Sequence, residues 1–406
     1  MEKEYDIYQG ANRLRNVGFS AIRQTLDRAA ELRADGKDVV ALSAGEPSFN
    51  TPELIKNYAI RAIEDNYTHY GSNRGYLPLR KKISKKIQKE INKIYNPETE
   101  IVFTTGGAEG LNNAIISIVN PGDEVIIVSP AFVTYKNLVT MCGGKSVEVS
   151  TFMENHFHPN IEEIKAVISN RTKLLILNNP NNPTGAVYPR YVIEALCDLA
   201  KEYNFIILSD EMYSELIYEG EFISVASIPG MKERSIIVNG FSKTYAMTGW
   251  RIGYLYSDQR LINHIMKVHQ YSSTCSPTFI QVGMDWAIDS EEVHRDVCFM
   301  KHEFEKRREI LISKLNEIPE LMYSKPEGAF YTLVDVSNTG LTGEIFAKRL
   351  LEEYYTAVVP VVSMGVEKDC RDYIRISFAA SENEIVEGLN RIGTFVGHLK
   401  KKSGFE

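Results

Sequence analysis

The sequence predicts an α/β protein with a large, mostly parallel sheet flanked by helices and a smaller α+β unit. Between about residues 101 and 255, short apolar β-branched runs alternate with longer segments of helical spacing. These runs are nearly continuous in apolar residues, which is typical of strands buried on both faces. The chain of 406 residues also exceeds the size at which one hydrophobic core usually stops growing, so a second unit is expected.

The elements follow one another in a consistent order. Helices are predicted first, at residues 21–33 and 83–94, and the strands of the large sheet follow at residues 101–104, 125–128, 174–177, 205–208 and 236–238. A helix at residues 304–315 and strands at 329–334 and 373–378 form the smaller unit. We therefore predict an N-terminal segment (1–50) that joins a small C-terminal domain (301–406), and a large domain between them (51–300).

The composition argues against several classes of binding partner and of site. A net charge of -7 and a pI near 5.8 argue against a nucleic-acid or anionic-membrane surface. The N-terminal residues lack a secretory pattern and no apolar run is long enough for a membrane span, so we expect a cytoplasmic protein. The five cysteines are scattered and form no CxxC pair, and His156 and His158 lack further ligands nearby, so we expect neither disulfides nor a metal site.

Polar residues gather after the predicted strands, where open α/β sheets bind ligands. Gly106 and Gly107 come after the first strand and before a helical segment, so their N–H groups are suited to a phosphate, although a plain tight turn is the more common reason for such a pair. Residues 178–185 contain two prolines and several amides, which fix Asn182 as a hydrogen-bonding group. Asp210 ends another strand with Tyr213 close behind it, although a strand-end Asp is often only a helix cap.

The last of these segments, residues 239–254, contains Lys243 among apolar, aromatic and glycine residues. Partial loss of hydration there lowers the pKa of a lysine and favours it as a Schiff-base amine, although most single lysines are surface charges. Arg251 lies eight residues later, next to Trp250 and an apolar strand. The ends of the predicted strands thus carry an unusual collection of polar residues, although each of these signals is weak by itself.

Seven segments resemble, in order, the motifs of one family: 42–52, 70–80, 178–185, 209–213, 240–253, 326–331 and 373–377. They are similar to those of class I aminotransferases of fold type I, the pyridoxal-phosphate family that includes aspartate and aromatic aminotransferases. The resemblance implies a large pyridoxal 5'-phosphate-binding domain at residues 51–300. It also implies transfer of an amino group between an L-amino acid and a 2-oxo acid such as 2-oxoglutarate.

The resemblance assigns three catalytic residues. Lys243 carries the cofactor as a Schiff base and then moves the proton between the substrate and the cofactor. Asp210 pairs with the pyridine nitrogen and keeps it protonated. Tyr213 and Asn182 bond the phenolic oxygen, and Phe132 stacks on the ring.

The same resemblance assigns the phosphate group to Gly107, Ala108, Ser242 and Arg251, with Tyr70 reaching in from the second subunit of a homodimer. Two of these residues, Ser242 and Arg251, come from the lysine segment. The site is therefore expected to be complete only in the dimer.

The substrate α-carboxylate is assigned to Arg375 as a bidentate pair, with Asn182, the backbone at Gly45 and Phe132 completing the substrate-binding set. One position departs from the pattern of bacterial aspartate aminotransferases of this branch. They often have a lysine where this chain has Ala108. The departure weakens aspartate specificity.

Segments 20–23, 68–71, 131–135 and 271–281 resemble the aromatic and acetyl-diaminopimelate aminotransferases, which favours an aromatic or broad substrate range. Two alternatives stay open at this point. The first is a C–S β-lyase or other carbanion chemistry on the same fold. The second is a ligand sensor, which is disfavoured because the segment before Leu42 is too short for a DNA-binding domain.

Overall fold

The computed structural model describes residues 10–403. The helices are α1 Ala21–Ala34, α2 Glu53–Glu64, α3 Leu77–Ile91, α4 Gly106–Ile118, α5 Thr134–Met141, α6 Ile161–Val167, α7 Arg190–Glu202, α8 Gln259–Ser272, α9 Thr278–Ala287, α10 Glu291–Asn316, α11 Gly343–Tyr354, α12 Glu367–Cys370 and α13 Glu382–Ser403. The strands are β1 Val40–Ala41, β2 Ile101–Thr104, β3 Glu124–Ser129, β4 Lys145–Ser150, β5 Thr172–Asn178, β6 Ile206–Asp210, β7 Ser235–Gly240, β8 Gly253–Ser257, β9 Met322–Tyr323, β10 Tyr331–Asp335, β11 Thr356–Ala357, β12 Val359–Pro360 and β13 Tyr373–Ser377.

A seven-stranded sheet dominates the fold, in the order β2-β8-β7-β6-β5-β3-β4. Strands β4, β3, β5, β6 and β7 pair in parallel, whereas β8 runs antiparallel to both β7 and β2. The α/β class and the mostly parallel sheet are therefore confirmed.

The two faces of this sheet bury different side chains of the same strands. Because side chains alternate across a strand, successive residues enter opposite cores. Ile126, Leu175, Ile207 and Ile237 pack on one face. Val125, Leu174, Leu208 and Ile236 pack on the other. This double burial explains why the strands read as continuous apolar runs.

A four-stranded antiparallel sheet, β12-β13-β10-β9, builds a separate hydrophobic cluster with residues of α10, α11 and α13. A third, two-stranded sheet pairs β1 with β11 in parallel, with Val40 opposite Thr356. The N-terminal segment therefore contacts the C-terminal part of the chain. The division at residues 50 and 300 stays a prediction, and this pairing is consistent with it.

Two helices begin earlier than the sequence suggested. Helix α3 starts at Leu77 with a proline in its first turn, where the missing N–H costs nothing, and it ends at Ile91. Helix α10 starts at Glu291 behind Ser290, whose side chain accepts a hydrogen bond from the Glu292 N–H. The predicted helix at 304–315 is thus the second half of a longer helix.

No helix within residues 10–403 combines the length and apolarity needed to cross a membrane. Among the described side chains, no three His, Cys, Asp or Glu residues are grouped so that they could hold a metal ion.

Candidate active site

The register of the parallel strands brings the strand-end residues together. Asn178, the last residue of β5, lies opposite Asp210, the last residue of β6. Asp210 in turn lies opposite Val238 of β7, and Lys243 follows the end of β7. Because the carboxyl ends of parallel strands share one edge of the sheet, the loops that follow them converge there.

Lys243 lies in a site that favours its neutral amine. Its Nζ donates a hydrogen bond to the Gly45 carbonyl at 2.5 Å. Loss of hydration is the main cause that lowers the pKa of Lys243 to about 8. The charges of Arg375 and Arg251 lower the pKa further, whereas that of Glu46 raises it. At pH 7 about one-tenth of Lys243 is therefore the free, nucleophilic amine, far more than for a lysine of ordinary pKa.

Asp210 is a buried carboxylate held by donors. The Tyr135 hydroxyl donates to Oδ2 at 2.7 Å, and the Met212 N–H donates to Oδ1 at 3.2 Å. Burial raises the pKa of Asp210, and the Tyr135 bond, the Met212 bond and the charge of Lys243 oppose that rise. The donors thus favour the ionised form in an environment that disfavours it.

Arg375, on β13, is buried and reaches across to the loop after β5. Its guanidinium donates to Asn182 Oδ1 at 2.9 Å and to the Ser43 carbonyl at 3.0 Å, and lies over the Tyr331 ring at 4.3 Å. Its Nε is buried without a hydrogen-bond partner among the described residues. The Tyr331 hydroxyl also lies 3.0 Å from that of Tyr213, so the arginine and the two phenols form one cluster.

Thr105 and Gly106 form the turn at which α4 begins, called here the turn before α4, and its backbone tolerates only glycine at position 106. Gly106 has a φ of 76°, and a Cβ there would lie 2.5 Å from Nη2 of Arg251. Arg251 is fixed in turn, because its Nη1 donates to the Thr248 carbonyl at 2.9 Å. Gly107 and Ala108 lie in the first turn of α4, where N–H groups lack acceptors within the helix. Positive charge and free N–H groups therefore meet at this turn.

These groups surround one cavity of about 240 Å³. Eleven sequence-predicted site residues line it: Gly45, Gly107, Ala108, Phe132, Asn182, Asp210, Tyr213, Ser242, Lys243, Arg251 and Arg375. Tyr70 does not line it, and its side chain is 88% exposed. The structure thus brings all the predicted residues together except the one expected to act on a second subunit.

Sequence reasoning missed several residues of the cavity. Tyr135, Tyr331, Ile22 and Thr248 also line it. Both tyrosines lie inside segments that resembled the family, so a search of those segments for groups able to donate to a carboxylate would have singled them out. Ile22 gave no such signal, because an apolar residue on an amphipathic helix reads as ordinary core.

A larger groove, about 750 Å³, lies behind the lysine segment between α3 and α10. Its wall includes Lys82, Lys85, Lys86 and Lys89 of α3, and Lys243 is the only predicted site residue in it. We therefore assign the chemistry to the smaller cavity.

The comparisons with known proteins agree with this geometry. The family model described as aminotransferase class I and II matches residues 37–392. An aspartate aminotransferase of Pyrococcus abyssi is 40% identical over 94% of this chain and 97% of its own length. An aromatic-amino-acid aminotransferase of Thermococcus litoralis is 37% identical over 94% of this chain and 97% of its own.

A solved structure gives the same result for the fold. An aspartate aminotransferase of Thermus thermophilus with maleate has a TM-score of 0.91 and 38% identity, covering 95% of this chain and 99% of its own. Amino-group transfer between an amino acid and a 2-oxo acid, rather than carbanion chemistry of the lyase type, is the activity these relatives support. The chain belongs to the class I and II aminotransferase family.

Proposed function

We propose that the cavity binds pyridoxal 5'-phosphate and uses it to move an amino group between an L-amino acid and a 2-oxo acid such as 2-oxoglutarate. The observation that carries the proposal is the pairing of Lys243, whose pKa is lowered to about 8, with the buried, hydrogen-bonded carboxylate of Asp210 in one cavity. A free amine and a buried anion are the two groups that this cofactor needs from a protein.

The turn before α4 fits the phosphate end of the cofactor. Gly107 and Ala108 would donate their N–H groups, Ser242 its hydroxyl and Arg251 its guanidinium, and all four residues line the cavity. The close approach of Gly106 to Arg251 brings the arginine charge against the backbone N–H groups. Such a concentration of donors suits a dianion.

The other end of the cavity fits the pyridine ring. Asp210 would keep a proton on the ring nitrogen, and its own bonds from Tyr135 and Met212 hold the carboxylate in place for that task. Asn182 and Tyr213 would bond the phenolic oxygen, and Phe132 would cover the ring face. When bound, the cofactor supplies an electron sink that stabilises negative charge at the substrate Cα.

Lys243 would hold the cofactor through Nζ and, once displaced by the substrate amine, move the proton away from Cα and back. Its lowered pKa supports this role, because a base that is half neutral near pH 8 can both take and return a proton. The Gly45 carbonyl, which accepts from Nζ, would orient the amine.

Arg375 would bind the substrate α-carboxylate. Its buried Nε without a partner among the described residues supports this role, because an unpaired buried donor costs free energy until a ligand satisfies it. Asn182 would assist, since its Oδ1 already accepts from Arg375 and leaves the Nδ2 donors to a ligand.

For the substrate side chain we propose an aromatic or broad range. Ile22, Leu111, Phe132 and Tyr331 line the cavity, and the lysine and arginine side chains that line it within residues 10–403 all have the roles given above. At Ala108 the chain offers a methyl group rather than a cation. The alternative, aspartate, is named for two of the relatives and would need a cation for its distal carboxylate.

We also propose a homodimer in which Tyr70 completes the phosphate site of the partner subunit. The exposed ring supports this role, because an exposed aromatic side chain is available to a second subunit. Mixing a Tyr70→Ala variant with a Lys243→Ala variant tests it, because each mixed dimer then contains one intact site. Activity well above that of either variant alone is expected, and a mixture as inactive as its parts contradicts shared sites.

The experiment for the whole proposal is an absorbance titration of the purified protein with single amino acids, beside the Lys243→Ala variant. Visible absorbance of bound cofactor that shifts on adding tyrosine, phenylalanine, aspartate or glutamate is expected, with kcat/KM ranking the donors. If no amino acid shifts the band, or if pyruvate and ammonia appear without a 2-oxo acid acceptor, the transfer proposal fails and lyase chemistry replaces it.

A further inference from the structure

A buried histidine lies behind the turn that faces the phosphate site. His269, on α8, is completely buried. Its Nδ1 lies 2.8 Å from Glu109 Oε1, and its Nε2 lies 2.7 Å from the carbonyl oxygen of Asn73. Each ring nitrogen thus lies within hydrogen-bond distance of an acceptor oxygen, and Asn113 Nδ2 lies 3.5 Å from Nδ1. Donating to both oxygens at once requires the imidazolium, and the proposal below assigns this form to the ring.

Glu109 is tied to the turn itself. Its Oε2 accepts from the Thr105 N–H at 2.5 Å, while Oε1 accepts from Ser273 at 2.7 Å and from Asn113 at 2.9 Å. Burial alone would raise the pKa of Glu109, but these bonds and that of His269 lower it to about 2. The side chain is therefore a permanent anion.

A permanent anion at this position poses an electrostatic problem. Glu109 lies in the first turn of α4, next to Gly107 and Ala108, which line the cavity. An unneutralised carboxylate there would compete with a phosphate for the positive end of the helix and repel it. An imidazolium at His269 would neutralise that charge at the carboxylate itself, since Nδ1 lies 2.8 Å from Glu109 Oε1.

His269 also connects two segments that the proposed function uses, the turn of its own phosphate site and the segment that carries Tyr70 toward the partner's site. Through Glu109 it contacts the turn before α4, and through the Asn73 carbonyl it contacts the segment that carries Tyr70. One buried side chain therefore contacts both segments, the first through an ion pair and the second through a hydrogen bond.

We propose that the buried Glu109–His269 pair positions the phosphate-binding turn and neutralises the carboxylate that holds it, so that the site accepts a phosphate dianion. Neither residue touches the ligand, so both are positioning residues. The inference rests on the proposed binding of pyridoxal 5'-phosphate at this turn.

The test compares ligands with and without a phosphate. The dissociation constants of pyridoxal 5'-phosphate, of pyridoxal and of inorganic phosphate are measured on the cofactor-free protein, the first two by absorbance and the last by calorimetry. In His269→Gln the two phosphate ligands are expected to bind about tenfold or more weakly, because the carboxylate is then uncompensated, whereas pyridoxal affinity changes little.

Removing the carboxylate as well should restore binding. The double variant Glu109→Gln/His269→Gln is expected to bind phosphate ligands within about threefold of wild type, since no net charge remains to repel them. The single variant Glu109→Gln, which also serves if His269→Gln fails to fold, should bind phosphate at least as tightly as wild type. His158→Gln, a change in a histidine paired with Glu327 outside the cavity, is the matched control and should alter nothing.

The inference would be overturned if His269→Gln weakened the binding of pyridoxal and of pyridoxal 5'-phosphate equally, or if the double variant did not restore phosphate binding. Either result would mean that the pair only stabilises the fold. Loss of phosphate affinity in Glu109→Gln would overturn it as well. If the wild type binds inorganic phosphate but not pyridoxal 5'-phosphate, the proposed cofactor is wrong, and the phosphate measurements still decide the role of the pair.

Discussion

Replacing Arg375 by lysine tests how the substrate carboxylate is bound. The change keeps the positive charge but removes the planar, two-donor face, so a bidentate pair becomes a single bond. A hydrogen bond to a charged group contributes about 1.5–3 kcal/mol. Losing one such bond, about 2 kcal/mol, is expected to lower kcat/KM for an amino acid about 30-fold, since 1.4 kcal/mol corresponds to a factor of ten.

The assay compares an amino acid with the same amine lacking its carboxylate. The spectral half-reaction is followed with L-tyrosine and with tyramine in the wild type and in Arg375→Lys. The value of kcat/KM for tyrosine should fall by the full factor of about 30. Tyramine, which has no carboxylate, should react at an unchanged low rate. Arg308→Lys is the control for losing a buried arginine, because Arg308 is similarly buried on α10 and does not line the cavity.

Two results would contradict this prediction. If kcat/KM for tyrosine falls by less than about threefold in Arg375→Lys, the bidentate pair does not contribute the free energy assigned to it. If tyramine falls as far as tyrosine, the substitution disturbs the site in general, and the loss says nothing about the carboxylate. Loss of tyrosine activity in Arg308→Lys would point to the same general disturbance.

Three further predictions concern titrating groups. The pKa of Lys243 is lowered to about 8, so the cofactor-free protein should capture pyridoxal 5'-phosphate faster as the pH rises, with a midpoint near 8. Stopped-flow absorbance measures this rate. A midpoint near 10.5 would contradict the lowered pKa. Tyr135→Phe removes a donor that lowers the pKa of Asp210, so the acid limb of the pH profile of kcat/KM should move to higher pH. If the limb does not move, the ionisation of Asp210 does not control the reaction. Burial raises the pKa of Glu211 from 4.5 to about 8, so the folded state holds a proton that the unfolded state loses and stability falls between those pH values. Glu211→Gln should flatten that fall in thermal melts, and an unchanged slope would show that Glu211 does not cause it.

The large sheet could be predicted because its strands are buried on both faces. Continuous apolar runs such as that of β5 are too short for a membrane span and indicate a strand with no solvent-facing side. The antiparallel direction of β8 could not be predicted, because strand direction depends on a pairing partner that periodicity does not identify. The first half of α10 was missed although Val293, Val297 and Met300 follow helical spacing and Val293 and Met300 are buried.

The candidate active site could likewise be predicted only in part from the sequence. Asp210 and Lys243 could be identified because Asp210 ends one strand, Lys243 follows another, and each belongs to a local motif. Tyr135 and Tyr331 were missed because they act only through partners 75 and 118 residues away, Asp210 and Tyr213 respectively. The segments that resembled the family contained both tyrosines but did not indicate which residues their hydroxyl groups contact.

The position of Asn182 affects how the protein can change over evolutionary time. Its backbone N–H donates to Asn178 of the seven-stranded sheet, while its side chain accepts from Arg375 of the four-stranded sheet. Substitutions around β13 can therefore accumulate and alter which acids are accepted, while the residues proposed for cofactor chemistry keep their geometry. A substitution at Asn182 affects both properties at once, so drift in substrate range is expected to spare this residue and to proceed through its neighbours.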